Sequence, residues 1–191
     1  CTGLISIDAL EKISSGELNS KSNEYINFKN RMKELCDSAK YNNVRILVDA
    51  EESWIQKVIN EVTLKLMEIY NKKHAIIFLT YQCYKIDTLN NIFKDFKYAN
   101  KNSFKLGVKL VRGAYMEKER AHALKYEYNS PIHINKNNTD VEFNNSIEFC
   151  IKNLNNISLW VGSHNENSFH NVINLMNKKK IKKNDDRVWF S

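Results

Sequence analysis

Short apolar runs alternate along the chain with longer stretches in which apolar residues recur every three or four positions. The short runs have the length and the β-branched content of buried strands, and the longer stretches have the spacing of amphipathic helices. Strands are predicted at 44–49, 75–80, 105–111, 158–162 and 187–191. Helices are predicted at 23–41, 52–70, 87–98, 117–126, 140–154 and 167–176.

This alternation predicts an α/β protein. Strands that are apolar throughout are typical of a parallel sheet covered by helices. Two architectures fit, an open doubly wound sheet and a (β/α)8 TIM-type barrel. A closed barrel has eight strands and typically ~250 residues, so a chain of 191 residues with five strands predicts an incomplete barrel. No predicted strand is followed by GxGxxG or GxxxxGK[ST], and the nucleotide-binding form of the open sheet therefore lacks its phosphate loop.

Length and composition narrow the class of protein. The 191 residues, 42% of them hydrophobic, predict a single domain, 1–191, with its own core. No apolar run approaches the ~20 residues of a membrane span, which excludes an integral membrane protein. No charged-then-apolar leader opens the chain, so we expect that it is not secreted. Because the first residue is Cys1 and not Met, we also expect a longer gene product.

The charge and the cysteines suggest no specific chemistry. The net charge is +7, but only five of the 29 basic residues are Arg, the side chain suited to forked phosphate contacts. The densest basic patch, at 178–183, is typical of a solvated helix end and loop, and we do not expect nucleic-acid binding. The four cysteines form no CxxC pair, so neither a zinc site nor a disulfide framework is expected.

Polar segments follow four of the predicted strands. They are DAE at 49–51, TYQCY at 80–84, KLVRGAY at 109–115 and GSHNE at 162–166. In parallel β/α folds, functional residues gather where strands end and loops begin. Helix capping would account for one such segment, for example through Asp49 or Ser163. Four such polar segments in succession predict a shared site at the edge of the sheet where the strands end.

Lys109 is the most informative single residue. Side chains alternate along a strand, so Lys109 and Val111 share a face, and Lys109 either points into a site or lies on an edge strand facing water. Gly113 either lets the backbone approach a ligand or makes the turn. His164 is a candidate ligand, acid or base, or a hydrogen-bonded turn residue. With no second His nearby, no metal site is expected.

The segment KLVRGAYMEKER at 109–120 resembles the signature of the proline dehydrogenase family. The other strand ends agree with that family in order and spacing, including RVWF at 187–190. CTGL at 1–4 resembles the end of an earlier barrel strand. The resemblance covers nearly everything from about residue 44 onwards, and five ordered blocks are far more specific than one motif.

The resemblance implies a distorted (β/α)8 barrel, of which five to six units are present, holding FAD against its strand ends. It implies oxidation of L-proline to Δ1-pyrroline-5-carboxylate, the first step of proline catabolism, with hydride transfer to the flavin. Electrons would then pass to a quinone in a membrane, which allows peripheral membrane contact. The implied compartments are the bacterial cytoplasm or inner-membrane surface, or the mitochondrion.

The resemblance also assigns site residues. Asp49 and Lys109 would be the catalytic pair, and we expect an ion pair between them. Lys109 stands where many members have Arg, so the positive charge is kept and the paired N–H donors of a guanidinium are lost. Tyr115 would lie near the substrate. The positions that match flavin contacts are Ala50, Gln82, Arg112, Gly113, Ala114, Ser163 and His164.

Two family features lie outside the sequence. A substrate-contacting Lys would precede Cys1, and a helix whose paired Arg residues clamp the proline carboxylate would follow Ser191. We therefore expect a fragment or truncated product that is inactive alone. The alternatives are a Schiff-base aldolase with Lys109 as nucleophile, and a basic binding domain using 178–183. Neither explains the polar residues at successive strand ends.

Overall fold

One parallel sheet of five strands forms the centre of the protein. A computed structural model describes residues 1–19 and 21–191. The strands are β1 (Ile46–Val48), β2 (Ile77–Gln82), β3 (Leu106–Val111), β4 (Ile157–Val161) and β5 (Val188–Phe190). They pair in chain order, each parallel to the next. A doubly wound sheet reverses its strand order at a switch point, so the sequential order identifies this sheet as half of a (β/α)8 barrel.

Seven helices accompany the sheet in the part of the chain that the structure describes. They are α1 (Ile7–Ser15), α2 (Asn23–Tyr41), α3 (Ser53–Tyr70), α4 (Thr88–Lys101), α5 (Met116–Lys125), α6 (Lys136–Lys152) and α7 (Glu166–Lys178). Helices α5 and α6 both lie between β3 and β4. This second helix explains why the interval between those two strands is longer than the others.

The predicted elements agree with the structure in type and order, and differ at several ends. Strand β2 continues to Gln82, two residues beyond its predicted end, while β1 covers only Ile46–Val48. Helix α1 was not predicted, although Ser6 accepts a hydrogen bond from the Ala9 amide at its start and Gly16 ends it with φ of 86°. Residues 1–4 form a turn, and no strand precedes β1 in the described ranges.

The outer face of the sheet is a continuous apolar layer. Leu79, Val108, Leu110, Leu159 and Val161 are fully buried there and belong to the same core cluster as the helices that pack on the sheet. Burial of each such side chain stabilises the fold by roughly 1.5–3 kcal/mol. Because side chains alternate along each strand, this layer forces the intervening residues onto the inner face.

Aromatic rings fill part of the inner face. The Trp160 ring stacks on Trp189 at 5.4 Å between centroids, and it meets Phe78 edge-on at 5.9 Å. The Arg45 guanidinium, just before β1, lies 4.4 Å from the centre of the Trp189 ring in β5. The contact joins the first and last strands across the inner face and helps to hold the curved sheet in shape.

The four cysteines are free thiols, as predicted, and Cys36, Cys83 and Cys150 are buried. Burial raises the pKa of the Cys36 thiol to about 12, so this group stays protonated and unreactive at neutral pH. No helix in the described ranges combines the length and the apolar character needed to cross a membrane.

Candidate active site

A cleft of about 1150 Å³ opens at the carboxyl ends of the strands. Every residue singled out from the sequence as a site candidate lines it. These residues are Asp49, Ala50, Gln82, Lys109, Arg112, Gly113, Ala114, Tyr115, Ser163 and His164. They come from loops and strand ends separated by up to 115 positions in the chain, and parallel pairing brings them to one edge of the sheet.

Lys109 and Asp49 form an ion pair in this cleft. The Lys109 ammonium Nζ lies 2.5 Å from Asp49 Oδ1. Lys109 belongs to β3, the central strand, which rules out the alternative of an edge strand facing water. The Lys109 side chain is 17% exposed and that of Asp49 is 68% exposed. An ion pair this open to solvent contributes at most ~1 kcal/mol to stability, so its main effect is to aim the ammonium.

Arg112 is held by three hydrogen bonds. Its Nε donates to Asp140 Oδ1 at 2.7 Å, and its two terminal nitrogens donate to Ser163 Oγ at 2.9 Å and Ser168 Oγ at 3.0 Å. The guanidinium also lies 4.5 Å from the Phe143 ring centre. Two of its five N–H groups have no partner among the described residues and can serve an anionic or carbonyl ligand.

Asp140 keeps its charge beside Arg112. Burial alone would raise the pKa of this carboxyl group, but hydrogen bonds from Lys136 and Arg112 outweigh that effect and place the pKa below its ordinary value. Lys136 donates at 2.6 Å. The carboxylate therefore remains a firm anchor for the guanidinium at neutral pH.

Gln82 links two of the loops. Its side-chain nitrogen donates to the Glu51 carbonyl at 2.9 Å, and its side-chain oxygen accepts a longer bond, 3.4 Å, from the Ala114 amide. Gln82 is buried at the end of β2. The amide therefore ties the loop after β1 to the loop after β3, and both loops contribute residues to the cleft.

Gly113 is required by the ring beneath it. Its φ is 134°, and a Cβ at this position would stand 2.5 Å from two atoms of the buried Tyr84 ring. Of the two explanations for this glycine, the structure supports the turn over the close approach of a ligand. Only a residue without a side chain lets the loop pass over Tyr84.

The loop after β4 is held by its own side chains. Ser163 Oγ accepts from the Asn165 amide at 3.0 Å, and Asn165 accepts from the Asn167 amide at the start of α7. His164 lies between them and lines the cleft. No group of three or more His, Cys, Asp or Glu residues suited to a metal ion occurs in the residues that the structure describes.

Tyr115 lies at the other side of the cleft, next to Glu51. Its hydroxyl group is 3.1 Å from Glu51 Oε2. Burial, followed by the Glu51 charge, raises the pKa of Tyr115 above its ordinary value. The phenol therefore remains protonated at neutral pH and donates its hydrogen to the Glu51 carboxylate.

Glu119 supports the site although the sequence does not single it out. This fully buried residue of α5 accepts bonds of 2.6 Å from both the backbone amide and the hydroxyl of Ser53. Ser53 begins α3, and Glu52 before it makes no side-chain cap bond. A carboxylate from another helix thus caps α3 and fixes the loop that carries Asp49. The sequence contains no signal that separates Glu119 from the other charged residues of this helix.

Glu119→Ala is expected to lower the free energy of unfolding by about 2–3 kcal/mol, because the Ser53 amide loses a charged acceptor in a buried place. Urea unfolding followed by circular dichroism measures this loss. Glu117→Ala, an exposed change on the same helix, is the control and should shift stability by less than ~0.5 kcal/mol. Equal effects of the two changes would contradict the capping assignment.

Comparisons with known proteins match nearly the whole chain to one protein family. The family described as "Proline dehydrogenase" matches residues 4–191. Proline dehydrogenase 1, mitochondrial, of Caenorhabditis elegans is 36% identical over 182 residues, covering 93% of this chain and 30% of the relative. The human protein of the same name is 32% identical over 163 residues, covering 84% and 27%. Hydroxyproline dehydrogenase of Xenopus laevis is 33% identical over 164 residues, covering 84% and 35%.

The fold is also found in solved structures. Proline utilization A from Bdellovibrio bacteriovorus matches with a TM-score of 0.78 at 21% identity, covering 85% of this chain and 17% of that one. The corresponding protein from Corynebacterium freiburgense covers 99% of this chain at a TM-score of 0.75. These matches confirm the predicted fold class. The chain spans about a third of the length of these curated relatives.

Proposed function

The chain belongs to the proline dehydrogenase family, and from this premise we propose that its cleft takes part in the oxidation of L-proline to Δ1-pyrroline-5-carboxylate. One observation carries the proposal: all ten residues that the sequence assigned to the site line a single cleft, with the Lys109–Asp49 pair among them. The reaction removes one hydride and one proton from the proline ring as its C–N bond becomes C=N.

We propose FAD as the cofactor, and the residues present fit it. The cleft has a volume of about 1150 Å³ and is lined from the ends of all five strands, and it offers an ammonium group at Lys109 and an amide at Gln82. It also contains a buried hydroxyl on Thr80 that has no partner in the described part of the chain. When bound, FAD supplies the acceptor for the hydride. Its ring would be held by Lys109 and Gln82, and its phosphates or ring oxygens by Arg112 with Ser163 and His164.

The chain's own side chains prepare the site for a gain of negative charge. Lys109 places a positive charge at the centre of the cleft, and Asp49 keeps the ammonium aimed there. A fixed cation favours electron density that arrives next to it, because no reorganisation is needed at the moment of reaction. Tyr115, whose O–H donates to Glu51, offers its oxygen as a hydrogen-bond acceptor to the substrate at the rim.

We further propose a quinone as the final electron acceptor, and consequently peripheral contact of the working enzyme with a membrane. The Caenorhabditis elegans and human relatives are named as mitochondrial, and the structural neighbour from Bdellovibrio bacteriovorus is a bacterial protein. For this chain the compartment stays a prediction, limited to these two settings.

The aldolase alternative is not favoured by the geometry of Lys109. A Schiff-base lysine attacks a carbonyl carbon through its free electron pair, whereas an ammonium that donates to Asp49 at 2.5 Å has none available. The basic segment at 178–183 lies at the end of α7 and in the following loop, and none of its residues lines the cleft.

Flavin content and proline-dependent dye reduction test the proposal. The protein is expressed both as the 191-residue chain and from the complete coding sequence that contains it. We expect the product of the complete coding sequence to purify with FAD and to reduce an artificial electron acceptor with L-proline, and the 191-residue chain alone to be inactive. Hydroxyproline, run in parallel, decides between the two substrates named among the relatives. The proposal would be contradicted by a purified protein that is colourless and whose Lys109 forms an imine with a carbonyl compound, trapped as a stable adduct when borohydride reduces it.

A further inference from the structure

Thr80 in β2 carries a buried hydroxyl group that faces the candidate active-site cleft without a partner in the described part of the chain. The residue is 6% exposed, and its Oγ1 atom is buried with no hydrogen-bond partner among the described residues. Thr80 also lines the cleft. Buried hydroxyl groups are nearly always paired, since an unpaired one loses its bonds to water without replacement. The buried hydroxyl groups of Ser14, Tyr84 and Ser146 also have no partner among the described residues, but none of these three residues lines the cleft. It is the location of Thr80 at the cleft that points to a ligand as its partner.

Other buried threonines show how this hydroxyl could have been satisfied internally. Thr63 donates to the Ile59 carbonyl and Thr88 donates to the Gln82 carbonyl, each at 2.7 Å. Thr80 is different because it lies inside a strand whose backbone groups are committed to the sheet, with its side chain on the inner face. No carbonyl of its own element is available to it.

The neighbours of Thr80 indicate what the ligand offers. Thr80 in β2 is level with Lys109 in β3, and Gln82 lies two residues further along the same face of β2. An ammonium, a hydroxyl and an amide thus stand side by side on two adjacent strands. This row of donors matches a planar ligand with several acceptor atoms along one edge. The isoalloxazine ring of a flavin, with its carbonyl oxygens and ring nitrogens, is such a ligand.

We propose that the Thr80 hydroxyl binds the flavin ring by donating a hydrogen bond to an acceptor atom on its polar edge. The inference rests on the proposed function and adds a binding residue to it. A donor at that edge favours the electron-rich, reduced form of the ring over the oxidised form. Thr80 therefore has two effects that can be measured separately, on the affinity for FAD and on the midpoint potential of the bound flavin.

Two substitutions isolate the hydroxyl. Thr80→Val keeps the β-branched shape and removes the donor, whereas Thr80→Ser keeps the donor and removes the methyl group. In the flavin-loaded protein, we expect Thr80→Val to raise the Kd for FAD about tenfold, the loss of one hydrogen bond, and to lower the midpoint potential. Thr80→Ser should stay within about twofold of the unsubstituted protein in Kd.

The control is Ser158→Ala. Ser158 is a buried hydroxyl residue on the inner face of β4 that does not line the cleft. We expect this change to leave both the Kd and the potential unaltered. Titration of FAD into apoprotein gives the Kd, and equilibration with a reference dye gives the potential.

The outcomes separate this inference from the proposed function. Unsubstituted protein that takes up no FAD contradicts both. If the unsubstituted protein takes up FAD and Thr80→Val changes neither the Kd for FAD nor the midpoint potential, the inference alone is contradicted. That result would indicate that a water molecule satisfies the hydroxyl. A Thr80→Val protein altered only in KM for proline also contradicts the inference, and assigns the hydroxyl to the substrate. Equal losses in Thr80→Val and Thr80→Ser would show that packing, and not the donor, is responsible.

Discussion

Lys109→Met, made in the product of the complete coding sequence, is expected to lower kcat/KM for proline by about 10³-fold, because it removes a preorganised positive charge from the cleft while keeping the aliphatic stem. Asp49, already 68% exposed, can be solvated when its partner is lost. The free energy of unfolding should therefore change by less than ~1 kcal/mol. The rate of flavin reduction by proline under single-turnover conditions measures the effect.

Two further variants make the Lys109 prediction specific. Lys109→Arg keeps the charge and should retain most of the activity, since the positive charge is the property that the proposed mechanism requires. Lys105→Met removes a lysine just before the same strand, where it binds Asn155 and Asn156 away from the cleft. It should leave the reduction rate unchanged. A Lys109→Met protein as active as Lys105→Met would contradict the assignment.

Gly113→Ala is expected to lower the free energy of unfolding by about 3 kcal/mol or more, combining a positive-φ backbone with overpacking in a filled space. The new methyl group would meet the Tyr84 ring at 2.5 Å, close to the ring's attachment point, where the side chain cannot swing away. The shifted loop would also displace Ala114, which bonds to Gln82. Weaker FAD binding should accompany the loss of stability.

Gly16→Ala separates the two causes. Gly16 has φ of 86°, and a methyl group added there would have no other atom within 4 Å. This change carries the backbone cost without the clash, about 1 kcal/mol. Chemical denaturation of both variants gives the comparison. Equal losses at the two glycines would show that backbone conformation alone explains Gly113.

The sequence predicted much of the fold because its periodicities are local. Alternation in β3 placed Lys109 and Val111 on one face, and the succession of short apolar runs and amphipathic stretches predicted strand–helix units. Helix α1 was missed because nine residues carry too short a pattern to stand out, even with Ser6 and Gly16 at its ends. The end of β2 was misplaced because Tyr81 and Gln82 look like loop residues, although both are buried in the strand.

The ten candidate residues that line the cleft were named from the sequence, but the contacts that position them were not. The sequence placed Arg112 in the cleft, yet its anchors Asp140 and Ser168 lie 28 and 56 residues away in the chain. The same limit applies to Glu119, whose partner is 66 residues distant. Such contacts depend on how separate β/α units meet, which no local pattern specifies.

The most direct test of the central claim uses the product of the complete coding sequence, purified with its flavin, and follows its visible absorbance when L-proline is added without oxygen. If the cleft holds FAD against Lys109 and presents proline to it, the oxidised-flavin band bleaches, and it does so far more slowly in Lys109→Met than in the unsubstituted protein. A bound flavin whose spectrum stays unchanged with proline, or one that bleaches equally fast without Lys109, would contradict the account.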